Sequence, residues 1–186
     1  GYSDEDCAGF LAGLVFAGND TTRNQIGWMV GVLVERPDAW DAIGTGEWDV
    51  AASVEELMRH RSAAPVVTRR ATEPVEVAGT TFEPGDHVLL SLWGADSDPA
   101  AFPDPLGVDP VANVGIPHLG FGHGPHHCLG AALARLELRV ILEELVARWP
   151  GMRLVDEPID MVRTLAFRGP LRLMVTLGAP GLGVPA

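Results

Sequence analysis

A mainly α fold with a minor β part (α+β) is predicted for this chain of 186 residues, and three observations predict it. Residues 4–35 and 129–149 carry apolar side chains at helical spacing over many turns, whereas residues 66–92 switch to alternation of apolar and polar side chains. Between the ribbon and the second long helix lies an aperiodic run, 94–117, rich in proline and aspartate. An apolar content of 47% is enough to build a hydrophobic core at this length.

Charge and cysteine usage narrow the function classes. Thirteen basic against twenty-five acidic residues give a formal net charge of −12, a surface that repels nucleic acid and anionic membranes, so neither partner is expected. The uncharged stretch Cys7–Asn19 is shorter than the roughly 20 residues of a membrane span and reads as a buried helix. Cys7 and Cys128 sit in unlike settings, one in an apolar helical run and one in a glycine-rich loop, which argues against a disulfide framework. The chain opens on Gly1 with no basic leader, and a cytoplasmic protein, or part of one, is the expectation.

Taken in order, Ser3 followed by Asp4, Glu5 and Asp6 reads as a helix cap with acidic residues in the first turn, where free N–H groups favour negative charge. The helix should run to Glu35, bury Phe10, Leu14, Ile26, Val30 and Leu33, and stop before Pro37. In its middle, "AGNDTT" (17–22) places small and polar residues in an apolar cylinder, a local conflict of the kind that marks function. A short helix follows Pro37, and a clearer one spans Val50–His60 with Val54, Leu57 and Met58 at core spacing. On it Glu56 and Arg59 share a face. "PVEVAG" and "DHVLLSL" read as strands joined by the turn "EPGD", and 94–117 as an irregular packed loop. Leu129–Trp149 is the second long helix, with Glu137 and Glu144 facing arginine-bearing turns. "LAFRGPLRLMVTL" is strand-like with a turn, and 178–186 reads as a flexible tail.

The chemistry concentrates at Cys128. A cysteine where a long helix begins meets the positive end of the peptide dipoles, which favours the thiolate that binds metals. Gly122, Gly124 and Gly130 allow tight turns and leave space beside the sulfur. Three readings follow: a small buried hydrophobe in a glycine turn, a zinc site using His118, His123, His126, His127 and Cys128, or a thiolate-ligated haem. Adjacent His126 and His127 in a Gly-Pro loop are poorly placed to share one tetrahedron, which counts against zinc.

The string "FGHGPHHCLG" (121–130) resembles the haem-binding loop F-G-x-G-x-H-x-C-x-G of the cytochrome P450 (haem-thiolate monooxygenase) family, bacterial soluble type, at every fixed position. Further stretches resemble the family in its order: "AGNDTT" its oxygen-activating segment, "EELMR" its E-x-x-R pair, "TRRATEPVEVAG" its propionate-binding strand, "SDPAAFPDP" its meander and "FRGPLRLMV" its late β-hairpin. The likeness runs from Ser3 to about Leu177 and corresponds to the C-terminal portion of the P450 fold, from the long central helix onward. The family's N-terminal half has no counterpart in 1–186.

The resemblance implies haem b (iron protoporphyrin IX) with Cys128 as axial ligand, Phe121 beside the sulfur, and Arg69 and His126 on the propionates. It implies that Ala17 and Gly18 leave room for dioxygen at a locally opened helix, with Thr21 and Asp20 as the alcohol and acid that handle protons. Glu56 and Arg59 are structural; Ala112 stands where bacterial members carry a third partner for that pair, and Asp96 where asparagine is usual. His118, His123 and His127 are left as loop residues. The implied activity is oxidation or hydroxylation of a small apolar substrate, with electrons from a ferredoxin and ferredoxin reductase type donor. The alternative is a truncated, non-catalytic haem-binding remnant. No flavin or nicotinamide fingerprint is visible.

Overall fold

The computed structural model describes residues 1–155, 158–162, 164 and 167–181. Helix α1 (Asp4–Val34) opens with the expected cap: Asp6 N–H donates to Ser3 Oγ at 3.1 Å while Ser3 N–H donates to Asp6 Oδ2 at 2.9 Å. It ends at Glu35, and Pro37 opens α2 (Pro37–Thr45), where a missing N–H costs nothing. Helix α3 (Val50–His60) is capped by Asp49, whose Oδ1 accepts from Ala52 N–H at 2.8 Å.

The β part differs in pairing from the sequence reading. Strand β1 (Val66–Arg70) pairs antiparallel with β4 (His87–Ser91), while β2 (Val75–Val77) and β3 (Thr80–Phe82) form a separate hairpin between them. The inner hairpin turns on Ala78 and Gly79, both at positive φ (51° and 78°), the two-residue turn that suits the twist of paired strands. "EPGD" therefore links β3 to β4 rather than "PVEVAG" to "DHVLLSL".

A short helix α4 (Leu92–Asp96) precedes the irregular run, and α5 spans Ala131–Arg148. Strand β5 (Arg153–Leu154) pairs with β8 (Val175–Thr176), and β6 (Asp160–Met161) with β7 (Pro170–Arg172). The late segment thus supplies two strands to two earlier ones instead of closing on itself; Leu165 and Ala166 lie outside the described residues. Of the expected tail, Gly181 N–H donates to Arg148 O at 2.7 Å, and 182–186 lie outside the described residues.

One core joins α1, α2, α3 and α5 through Met29, Leu33, Trp40, Leu57, Leu138 and Leu142. Val54 and Met58 are buried as expected, and Ile26 and Val30 are half-buried against the core. Phe10 and Leu14 correct the sequence reading: they are 63% and 41% exposed, because the core forms only against the second half of α1. There Gly27 permits close approach, since a Cβ would come within 2.9 Å of Pro170 Cδ. Among the described residues no helix is long and apolar enough to cross a membrane.

Candidate functional site

The cysteine loop is shaped by its backbone. Gly122 (φ 71°) and Gly124 (φ 75°) occupy left-handed conformations that other residues adopt only with strain. Gly122 N–H donates to Leu119 O at 2.7 Å, a 3₁₀ turn covers Gly124–His126, and Cys128 N–H donates to Phe121 O at 2.9 Å. Cys128 itself is a free, exposed thiol three residues before α5, which begins at Ala131, two residues later than the expected Leu129.

Two buried anchors fix this loop. Asp96 Oδ1 accepts from Leu119 N–H at 2.7 Å, and burial raises the Asp96 pKa while its Oδ2 has no hydrogen-bond partner. His118 accepts from Gly120 N–H at Nδ1 (3.0 Å), which leaves Nε2 to donate to Glu55 Oε2 at 3.1 Å. His118 is therefore not a free loop residue. Glu55 also takes two bonds from Arg135 on α5, at 2.7 and 2.9 Å, and the Arg135 guanidinium lies 4.4 Å from the centre of the Phe121 ring. Burial alone would push the Glu55 pKa up, but the bonds from His118 and Arg135 outweigh it and lower the pKa to about 2.

The Glu56–Arg59 pair is saturated. Arg59 Nε and Nη2 donate to the two Glu56 oxygens, each at 2.8 Å, and the remaining N–H groups donate to the carbonyls of Asp96 (2.7 Å), Pro105 (2.8 Å) and Gly107 (2.8 Å). Phe102 lies under the guanidinium at 4.8 Å. The expected gap at Ala112 is filled by its neighbour: Asn113 Nδ2 donates to Glu56 Oε1 at 3.0 Å, and Asp109 N–H joins at 2.9 Å. Both charged residues are buried, at 3% and 1% exposure, so this is not a solvated surface pair.

On α1 the helix runs unbroken through 17–22, which corrects the expected local opening. Thr21 Oγ1 donates back to Ala17 O at 2.6 Å, the bond by which a helix accommodates a mid-helix hydroxyl. Asp20 pairs with Arg23 at 2.6 Å. A Cβ added at Gly18 or Gly124 would meet no protein atom within 4 Å, so neither glycine is required by packing. Arg69 stands exposed on β1 with Nη1 donating to Thr68 O at 2.8 Å, and His126 is exposed in the 3₁₀ turn. Among the described residues neither is paired with a carboxylate.

A cavity of about 910 Å³ opens between α3, α5 and the loop before the cysteine. Glu55, His118, Gly122 and Arg135 line it, whereas Cys128, Asp20 and Thr21 do not. It lies behind the cysteine loop rather than at the reactive groups. No group of three or more His, Cys, Asp or Glu side chains among the described residues could hold a metal ion, so the histidine-rich string does not assemble a zinc cluster.

Three side chains escaped the sequence reading: Glu55, Arg135 and Asn113. Arg135 was visible in the sequence only as a basic residue on the helix that follows the cysteine loop. Asn113 was visible only as a polar neighbour of Ala112.

Fold and loop together define a haem-thiolate protein class, and the comparisons agree. The family model for Cytochrome P450 matches residues 50–150. A cytochrome P450 of Amycolatopsis orientalis is 42% identical over 159 residues, covering 85% of this chain and 40% of the relative. The erythromycin C-12 hydroxylase of Saccharopolyspora erythraea is also 42% identical, over 86% of this chain and 40% of its own length. A Bacillus megaterium P450 crystallised with testosterone superposes with a TM-score of 0.90 at 30% identity, over 96% of this chain and 49% of that one. The chain belongs to the cytochrome P450 family, whose members bind haem, and it spans about 40% of the length of these curated relatives.

Proposed function

We propose that this chain is the C-terminal, haem-binding part of a bacterial monooxygenase that hydroxylates or otherwise oxidises a small apolar organic substrate. The observation that carries the proposal is the presentation of Cys128: an exposed thiol at the N-terminal end of α5, set there by two left-handed glycines and a backbone bond to Phe121. The donor set suits haem: one soft sulfur, N–H donors at Arg69 and His126 that no carboxylate holds among the described residues, for two propionates, and glycines at 18 and 124 whose missing side chains leave space.

When bound, the haem supplies one-electron chemistry with dioxygen, overall R–H + O2 + 2 e⁻ + 2 H⁺ → R–OH + H2O. The residues of the chain do the rest. Cys128, as thiolate, would hold the iron; Phe121, Gly122, Gly124 and Gly130 shape its loop; Arg69 and His126 would hold the propionates through charge-assisted bonds. Asp20, on releasing Arg23, carries protons from solvent, and Thr21 passes them on once its hydroxyl turns from Ala17 O. Ala17 and Gly18 keep that face of α1 open to dioxygen. Electrons come from a ferredoxin and ferredoxin reductase type donor, and the setting is the bacterial cytoplasm; the bacterial origin of the relatives supports both.

Haem titration tests this: one haem per chain and a strongly red-shifted Soret band of the reduced carbon monoxide form are expected. A haem-protein spectrum of the histidine-ligated type would overturn it. Thr21→Ala should then consume dioxygen while forming several-fold less product. A second reading, haem binding without catalysis, is favoured by the apolar side chains left in solvent on α1, Phe10, Leu11, Val15 and Phe16 among them. Oxidation of an apolar probe by the haem-loaded chain with peroxide or a ferredoxin system would exclude that reading.

A further inference from the structure

Arg135 occupies a position that the loop chemistry above does not use. Its guanidinium is gripped by both Glu55 oxygens and lies on the face of Phe121, within the range at which a cation is attracted to an aromatic ring. Phe121 in turn accepts the Cys128 N–H through its carbonyl. Glu55 is itself held on its other side by His118, whose ring is 5% exposed and oriented by Gly120 N–H. The chain of contacts His118–Glu55–Arg135–Phe121–Cys128 therefore runs from the loop before the cysteine, through α3 and α5, to the backbone of Cys128.

We infer that Arg135 is a positioning residue that sets the electron donation of the Cys128 sulfur, with Glu55 as the counter-charge that holds and partly offsets it. The inference rests on the assignment of Cys128 as the haem ligand. The physical argument is electrostatic. A positive charge fixed near an iron–thiolate centre stabilises the reduced form, which carries one more electron, and so raises the reduction potential; a nearby carboxylate does the opposite. The bidentate grip and the ring contact keep the guanidinium from swinging into solvent, where its field would be screened. The guanidinium rests on the ring of Phe121, whose carbonyl holds the Cys128 N–H, so the charge and the cysteine meet at one residue of the loop. Arg135 is 41% exposed at its side chain, so water weakens the effect without removing it.

The test is spectroelectrochemical titration of the haem-loaded chain and its variants. Arg135→Gln should lower the potential by an amount equivalent to about threefold to tenfold in the one-electron equilibrium, where each tenfold is about 59 mV. Glu55→Gln should raise it, the double variant should return near the unsubstituted value, and Arg135→Lys should keep more than half of the charge effect. Opposite signs for the two single variants separate this role from a structural one, because loosening the loop would move both the same way. Shifts of the same sign, or no shift in Arg135→Gln with its thiolate-type carbon monoxide band intact, would overturn the inference alone. Absence of that band from the unsubstituted chain would overturn the Cys128 assignment and the inference with it.

Discussion

Two acid–arginine pairs in this chain have the same spacing and opposite fates. Glu56–Arg59 and Asp20–Arg23 are each three residues apart on a helix, with contacts of 2.8 and 2.6 Å. In the first, both side chains are 2% exposed and every donor of the guanidinium is used. In the second, Arg23 is 70% and Asp20 28% exposed, with no further partner for either among the described residues. Sequence spacing sets which side chains can meet; burial sets what the meeting is worth. A closed buried pair holds a fold together, and an open pair is free to exchange partners, as the proton role proposed for Asp20 requires.

The comparison is broken most severely at Arg59. Arg59→Ala strips the buried Glu56 carboxylate of its cation and removes the Arg59 bonds to three interior carbonyls, and should cost about 3–5 kcal/mol of stability by chemical denaturation. Loss of under 1 kcal/mol would mean that the pair is not the centre of the meander packing. Next comes Asn113→Ala, which removes one bond to Glu56 and should cost about 1–3 kcal/mol; an unchanged denaturation midpoint would show that Asp109 N–H suffices.

A smaller effect lies in pH. His60, buried beside Arg61, Arg36 and Arg59, has its pKa lowered from 6.5 to about 4, first by burial and then by these charges. The unfolded chain therefore binds this proton more readily, and stability is full above pH 6.5 and lost as pH falls toward 4. Glu55, lowered from 4.5 to about 2, contributes stability present above pH 4.5 and lost as pH falls toward 2. Denaturation midpoints measured from pH 7 to 4 should decline, and the decline should flatten in His60→Gln; equal slopes for both chains would contradict the His60 assignment. Smallest of all, Arg23→Ala should change stability by less than about 0.5 kcal/mol, since exposed pairs contribute little. A loss comparable to that at Arg59 would erase the distinction between the pairs.

What could be read in advance followed local chemistry. Ser3 and Pro37 punctuate the first helix in the sequence itself, and α1, α3 and α5 fall close to the periodic runs that predicted them. The cysteine loop was equally visible, because its glycines and Cys128 lie within ten residues. Pairings over long sequence distance were not. The nesting of β2–β3 inside β1–β4 depends on a two-residue turn at Ala78–Gly79, whose first residue gives no turn signal. Asn113 reaching Glu56, and Arg135 reaching Glu55, join residues 57 and 80 apart that no local periodicity connects. The exposure of Phe10 and Leu14 was hidden for a related reason: an apolar stripe predicts burial only where another element covers it.

The chain has two free cysteines, both exposed, and only one stands in the glycine loop. The most direct test of the account compares Cys128→Ala with Cys7→Ala after haem loading, reduction and exposure to carbon monoxide. The account predicts a thiolate-type Soret band that persists in Cys7→Ala and vanishes in Cys128→Ala. Survival of the band without Cys128 would contradict it.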